Sequence, residues 1–133
     1  MSWVSIYVHM VFCTKNREPF LQPEIRKQVF QHIKENGEEK NIWIDSVNGH
    51  EEHAHCLISL NRQHSISKVA QLIKGESSHW INQHQLTNEI FAWQDDYWAV
   101  SVSPGHLQQT RAYILNQEAR HQNTSFKEEI ERF

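Results

Sequence analysis

No stretch of this 133-residue chain stays apolar for anything near the ~18 residues that a membrane-spanning helix needs. The opening, MSWVSIYVHMVFCTK, has neither a basic start nor an unbroken apolar block, so it does not read as a secretory signal. Cysteine is scarce. Cys13 and Cys56 lie in strand-like sequence and make no disulfide framework, which points to a reducing cytoplasm. Positive charge is not in excess either. Thirteen Lys and Arg against sixteen Asp and Glu leave a net charge of −3, so the chain exerts no general pull on nucleic acid, whose phosphates are met chiefly by Lys and Arg. Local patches matter more than the sum, so this counts against nucleic-acid binding without excluding it. There is no internal repeat, low-complexity segment or linker, and the length suits one domain over 1–133. With 38% hydrophobic and 22% charged residues, the composition is that of an ordinary globular protein. The one surplus is histidine, with ten.

Periodicity supplies the elements. Residues 3–13 alternate, with Val4, Ile6, Val8, Met10 and Phe12 on one side and Trp3, Ser5, Tyr7, His9 and Val11 on the other, which predicts a strand. A polar connection (14–20) leads to Pro23, which opens a helix carrying Ile25, Val29 and Ile33 at helical spacing, and Gly37 fits its C-terminal cap. Residues 41–48 and 53–60 read as two further strands joined by GHEE. A second helix spans about 65–83. Gly75 interrupts it at a cost of ~1 kcal/mol relative to alanine, so close packing is expected there. A fourth strand covers 96–103, Pro104 starts a last helix with Leu107, Tyr113 and Ile114, and the tail after about Asn123 is polar. The order βαββαβ plus a C-terminal helix predicts an α+β, ferredoxin-like antiparallel sheet, its two core helices on one face and the other face open.

Two short patterns carry chemistry. In HAHCLISL (53–60), residues two apart share a face, roughly 6.5–7 Å apart along the strand. Ala54, Cys56, Ile58 and Leu60 would face the core helices, and His53, His55 and Leu57 the open side. Burying two imidazoles against apolar helices is costly, so an exposed pair is expected. Such a pair is either a metal or phosphate site or two histidines with local hydrogen bonds. Zinc on His53, His55 and Cys56 is a poor alternative, because Cys56 points through the sheet. In the last helix, Tyr113 and Gln117 are four apart and share a face. Tyrosine can act as a nucleophile and a glutamine carbonyl can ligate Mg²⁺ or Mn²⁺. Equally, the two residues suit an amphipathic helix with a solvated edge.

Taken together, YVHMVFCTKNR (7–17), HAH (53–55), LIKGESSHWI (72–81), WQDDYWAVSVS (93–103) and YILNQ (113–117) resemble the single-tyrosine transposases of the HUH superfamily, found in bacterial insertion sequences and in REP-associated relatives. The resemblance spans nearly the whole chain. It implies that Tyr113 is the nucleophile and that His53, His55 and Gln117 hold Mg²⁺ or Mn²⁺. It also implies an enzyme that cuts and rejoins single-stranded DNA beside hairpins through a 5′-phosphotyrosine, without a nucleotide cofactor. A homodimer in the bacterial cytoplasm, nucleoid-associated when bound to DNA, is expected. The apolar stripe of the last helix is thin, and a partner would cover the open face.

Three departures stand out. Glu52 occupies the place of the family's usual aspartate, Ala54 is smaller than the usual valine or isoleucine, and the chain stops 20 residues after Tyr113. Lys15, Arg17, Lys68, Lys74 and Arg111 are candidate phosphate contacts or else solvated charges. Trp80, Trp93 and Trp98 fit core packing better than base stacking. The alternatives are a hairpin-binding protein that has lost the chemistry, or a nickase of the relaxase or replication-initiator kind.

Overall fold

The structure, a computed structural model, describes residues 2–117. The expected polar tail and the chain's C-terminal end lie outside the described residues. The elements follow the expected order: β1 (Ile6–Cys13), α1 (Pro23–Glu39), β2 (Trp43–Gly49), β3 (His53–Leu60), α2 (Ile66–Gln83), β4 (Trp98–Val102) and α3 (Leu107–Leu115). Short 3-10 turns occupy Lys15–Arg17 and Pro104–His106. The strands form one sheet in the order β2-β3-β1-β4 with every pair antiparallel, so the fold is α+β and ferredoxin-like.

The alternation of β1 decides what is buried. Met10 and Phe12 point into a core shared with Ala54, Cys56 and Ile58 of β3, Val29 and Ile33 of α1, and Val69, Ala70 and Ile73 of α2. Both helices therefore cover the same face. β1 begins later than its alternation suggests: Trp3 is 86% exposed, and Val4 and Ile6 are exposed too. α1 starts on Pro23, where a missing amide costs nothing. α2 starts after Ser65, whose hydroxyl accepts from the Lys68 amide at 3.1 Å.

The two glycine expectations are both corrected. Gly37 lies inside α1 rather than capping it. A Cβ there would come within 2.6 Å of Ile44 Cδ1, so its role is to let α1 approach β2. The left-handed residue beyond the helix is Asn41, at φ 63°. Gly75 faces open space with nothing within 4 Å, so it marks no close packing. No helix among the described residues is long and apolar enough to cross a membrane.

Candidate active site

The second face of the sheet is open only in part, with Val100 of β4 exposed on it. α3 lies against it over β2 and β3, and Ile114 is completely buried there. His53 and His55 do project to this face, as their register requires, but both are 0% exposed rather than solvent-facing. The energetic objection to burying them is met by polar partners in place of apolar helices. His53 has a partner on each side of its ring: Nδ1 lies 3.0 Å from Glu52 Oε1, and Nε2 lies 3.3 Å from Gln117 Oε1. His55 Nδ1 shares a 2.8 Å hydrogen bond with Nε2 of His9. Gln117 is itself held, its Nε2 donating to the Tyr113 carbonyl at 3.1 Å.

The register explains the convergence. Val11 pairs with His55 and Cys13 with His53, so His9, two residues before Val11, lies diagonally across from His55 on the same face. The rings of His9 and His55 are 5.0 Å apart, as are those of His53 and His55. The Tyr113 ring stands edge-on to both His55 (5.7 Å) and His9 (6.0 Å). Tyr113, Gln117, His53 and His55 are thus brought together within one chain. Sequence reasoning left His9 without a role. Its side of β1 was legible from alternation, but its partner depends on pairing between distant strands. The tight end of β2 also fixes the start of β3, because a Cβ on Gly49 would run into the His53 carbonyl and come within 2.9 Å of Ala54 Cα.

The donor set suits a hard or borderline divalent ion, with two imidazoles and a neutral amide oxygen. The 3.3 Å from His53 Nε2 to Gln117 Oε1 approaches the ~3 Å edge of an octahedron with ~2.1 Å bonds. Glu52, a departure from the family's aspartate, bonds the ring nitrogen of His53 remote from Gln117, the usual position of an orienting carboxylate. Next to it, His50, Glu51 and Glu52 bring donor atoms within 4.8 Å of one another in the β2–β3 turn, a second group that could hold a metal. Cys56 contributes to neither group. It points into the core as expected, and burial pushes its thiol up to about 12. Cys13 lies opposite His53, and burial raises its thiol to about 11.

The candidate phosphate contacts separate into different roles. Lys15 and Arg17 are exposed in the turn after β1, at the His53 end of the sheet. Lys68 lies on α2, across the sheet from the histidines. Lys74 Nζ donates to the Asp95 carbonyl at 2.7 Å. Desolvation pulls its pKa down against the opposing pull of Asp95 and Asp96, so it anchors the segment before β4. Arg111 makes two 2.8 Å bonds to Asp45, which sits at an irregularity in β2 pairing. That hydrogen bonding holds the Asp45 carboxyl below its usual range, with Ser46 adding a further bond. Arg111 therefore ties α3 to β2. Of the tryptophans, Trp93 is buried against Phe12 and donates to Ser77, and Trp80 stacks on His32. Trp98 instead sets its edge against His9, on the site face.

A ferredoxin-like sheet with a tyrosine helix laid over its histidine strand is the fold of the single-tyrosine transposases. The family described as "Transposase IS200 like" matches residues 2–117, and the chain belongs to it. Membership makes it a transposase, an enzyme class that cuts DNA. Among solved structures, a protein described as a transposase from Deinococcus radiodurans R1 has a TM-score of 0.68 and 20% identity, over 88% of this chain and 95% of that one. A REP-associated tyrosine transposase bound to a REP hairpin has a TM-score of 0.65 and 17% identity, over 91% and 72%. At these identities the likeness concerns the fold. No curated protein matches the sequence.

Proposed function

We propose that this transposase is a metal-dependent tyrosine strand transferase acting on single-stranded DNA at hairpin-flanked sites. The observation that carries the reading is the meeting of Tyr113 and Gln117 with the buried pair His53 and His55 inside one chain. Tyr113 would attack the scissile phosphorus through its phenolic oxygen. A tyrosine–phosphate bond to the 5′ side forms as the bond to the 3′ oxygen breaks, and that oxygen leaves as a hydroxyl. Rejoining is the reverse, with a 3′-hydroxyl displacing the tyrosine. The phosphodiester energy stays in the covalent link, so no nucleotide cofactor is needed. His53, His55 and Gln117 would hold Mg²⁺ or Mn²⁺, which when bound polarises the scissile phosphate and offsets its charge. Glu52 orients His53, and His9 orients His55.

Two points support the hairpin substrate. A fold neighbour is a transposase bound to a REP hairpin, and an acidic chain lacks the charge to hold a duplex by phosphate attraction alone. A homodimer belongs to the reading through the family resemblance, although α3 already covers the β2 and β3 part of the sheet face that seemed to need a partner. The binding-only and nickase alternatives gain no observation of their own. The test offers each strand of a flanking repeat separately, then annealed, with Mn²⁺. Cleavage of one single strand is expected, and efficient cutting of the annealed duplex would overturn the reading. Mixing Tyr113→Phe with His55→Ala tests the dimer. Restored cleavage shows tyrosine helices exchanged between subunits, whereas no restoration means each chain works on its own histidines.

A further inference from the structure

The acidic average of the chain hides one basic groove. Between α1, β2 and α3 lies an open cavity of about 840 Å³, lined by Arg26, Lys27 and Lys34 of α1 and by Arg111 of α3. Asp45 is the one carboxylate among its lining residues, and Arg111 already neutralises it. Arg26 is buried and donates to the Leu21 carbonyl at 3.0 Å. Lys27 is exposed and Lys34 half-buried, seven residues on, so the two stand about 10.5 Å apart along one side of α1.

The groove adjoins the candidate active site through α3. Arg111 and Leu115, four apart, line it, while Tyr113 sits against the histidines on the other side of the same helix. Gln117, also against the histidines, lies just past the helix end at Leu115 rather than within the helix as the sequence suggested. Asn48 bridges the two. It lines the groove, donates to the Leu115 carbonyl at 3.1 Å and pairs across from His55. Asn116, also in the lining, immediately precedes Gln117.

We propose that this groove carries the single-stranded DNA running to the scissile phosphate, with Lys27 and Lys34 on its phosphodiester backbone. The proposal rests on the strand-transferase reading above. The volume falls within the ~300–1,000 Å³ typical of ligand clefts, which is room for a few nucleotides of an extended strand. Amides from Gln31, Asn48 and Asn116 can meet sugar and base edges, and the exposed Leu115 offers an apolar contact.

The test measures binding of a fluorescent single-stranded oligonucleotide, carrying the flanking hairpin and its adjoining linear segment, in chelator so that no cleavage occurs. Wild type, the Lys27→Ala/Lys34→Ala double variant and Lys40→Ala (a cation outside the groove) are compared across ~50–200 mM salt, with thermal melts to verify folding. Loss of two phosphate contacts should make the slope of log K against log salt shallower by about 1.4 and weaken binding about tenfold at low salt. Lys40→Ala should follow wild type. If wild type binds and forms a covalent adduct in Mn²⁺ but the folded double variant keeps the same slope and affinity, the groove proposal falls and the transferase reading stands. If wild type binds no single strand at all, both fall.

Discussion

Replacing Ile114 with alanine should disable the tyrosine helix while sparing the rest of the fold. α3 has nine residues, fewer than the ~12–15 an isolated helix needs to be even marginally stable in water. It must therefore be held by tertiary contacts. They include the buried Ile114, the Tyr113 ring edge-on to His55 and His9, the Arg111–Asp45 pair, the Asn48 bond to the Leu115 carbonyl and the Gln117–His53 contact. Ile114 is the sole buried apolar side chain of the helix, and truncating such a residue to alanine costs about 2–5 kcal/mol. Local opening of a peripheral element costs only part of the global stability, so a loss of that size leaves α3 largely undocked. At about 1.4 kcal/mol per tenfold, covalent adduct formation should fall by at least one order of magnitude, whereas Ile114→Val, costing about 0.5–1.5 kcal/mol, should fall less than about tenfold. Adduct rate on denaturing gels, amide exchange over 107–115 and thermal melting read this together. The main core lies on the opposite face of the sheet, so the melting temperature should drop less than for Ile58→Ala. An Ile114→Ala protein with wild-type adduct rate and undiminished protection of α3 would refute the reasoning.

Two further outcomes follow from the polar contacts. The folded-state pKa of Asp45 is depressed, so its pair with Arg111 stabilises α3 docking above the ordinary carboxylate pKa of about 3.9 and is lost as pH falls through the lower folded value. The part of α3 protection that Asp45 supplies should then be constant down to about pH 5 and decline below about 4, and Asp45→Asn should remove that decline. A decline unchanged in Asp45→Asn would assign it to another group. Glu52→Gln removes the charge that orients His53, and loss of such an outer carboxylate typically weakens metal affinity about 10–100-fold. Calorimetric titration with Mn²⁺ checks it, and equal affinity in both proteins would place the metal away from His53.

What the sequence made legible was local. The alternation of β1, Pro23 opening α1 and Ser65 capping α2 are all read within a few residues of where they act. Strand order followed from element order, and the projection of His53 and His55 followed from a period of two. The burial of that pair did not, because the helix that covers it arrives after a further helix and strand. The partnership of His9 with His55 depends on the β1–β3 register, which no single strand encodes. Arg111 looked like a phosphate contact because its partner, Asp45, lies in a distant strand at a pairing irregularity. Glycine was ambiguous for the same reason: chain position does not say whether a neighbour approaches, as Ile44 does at Gly37, or open space does, as at Gly75.

The central claim is that Tyr113 becomes covalently joined to DNA. Incubating the protein with the cleavable single strand and Mn²⁺, trapping with denaturant and mapping the modified peptide by mass spectrometry tests it directly. The account predicts a nucleotide adduct on Tyr113, lost in Tyr113→Phe, a variant that should melt nearly as wild type because one oxygen on a half-buried helix face contributes little to stability. A covalent adduct that persists in Tyr113→Phe, or maps to another residue, would contradict it.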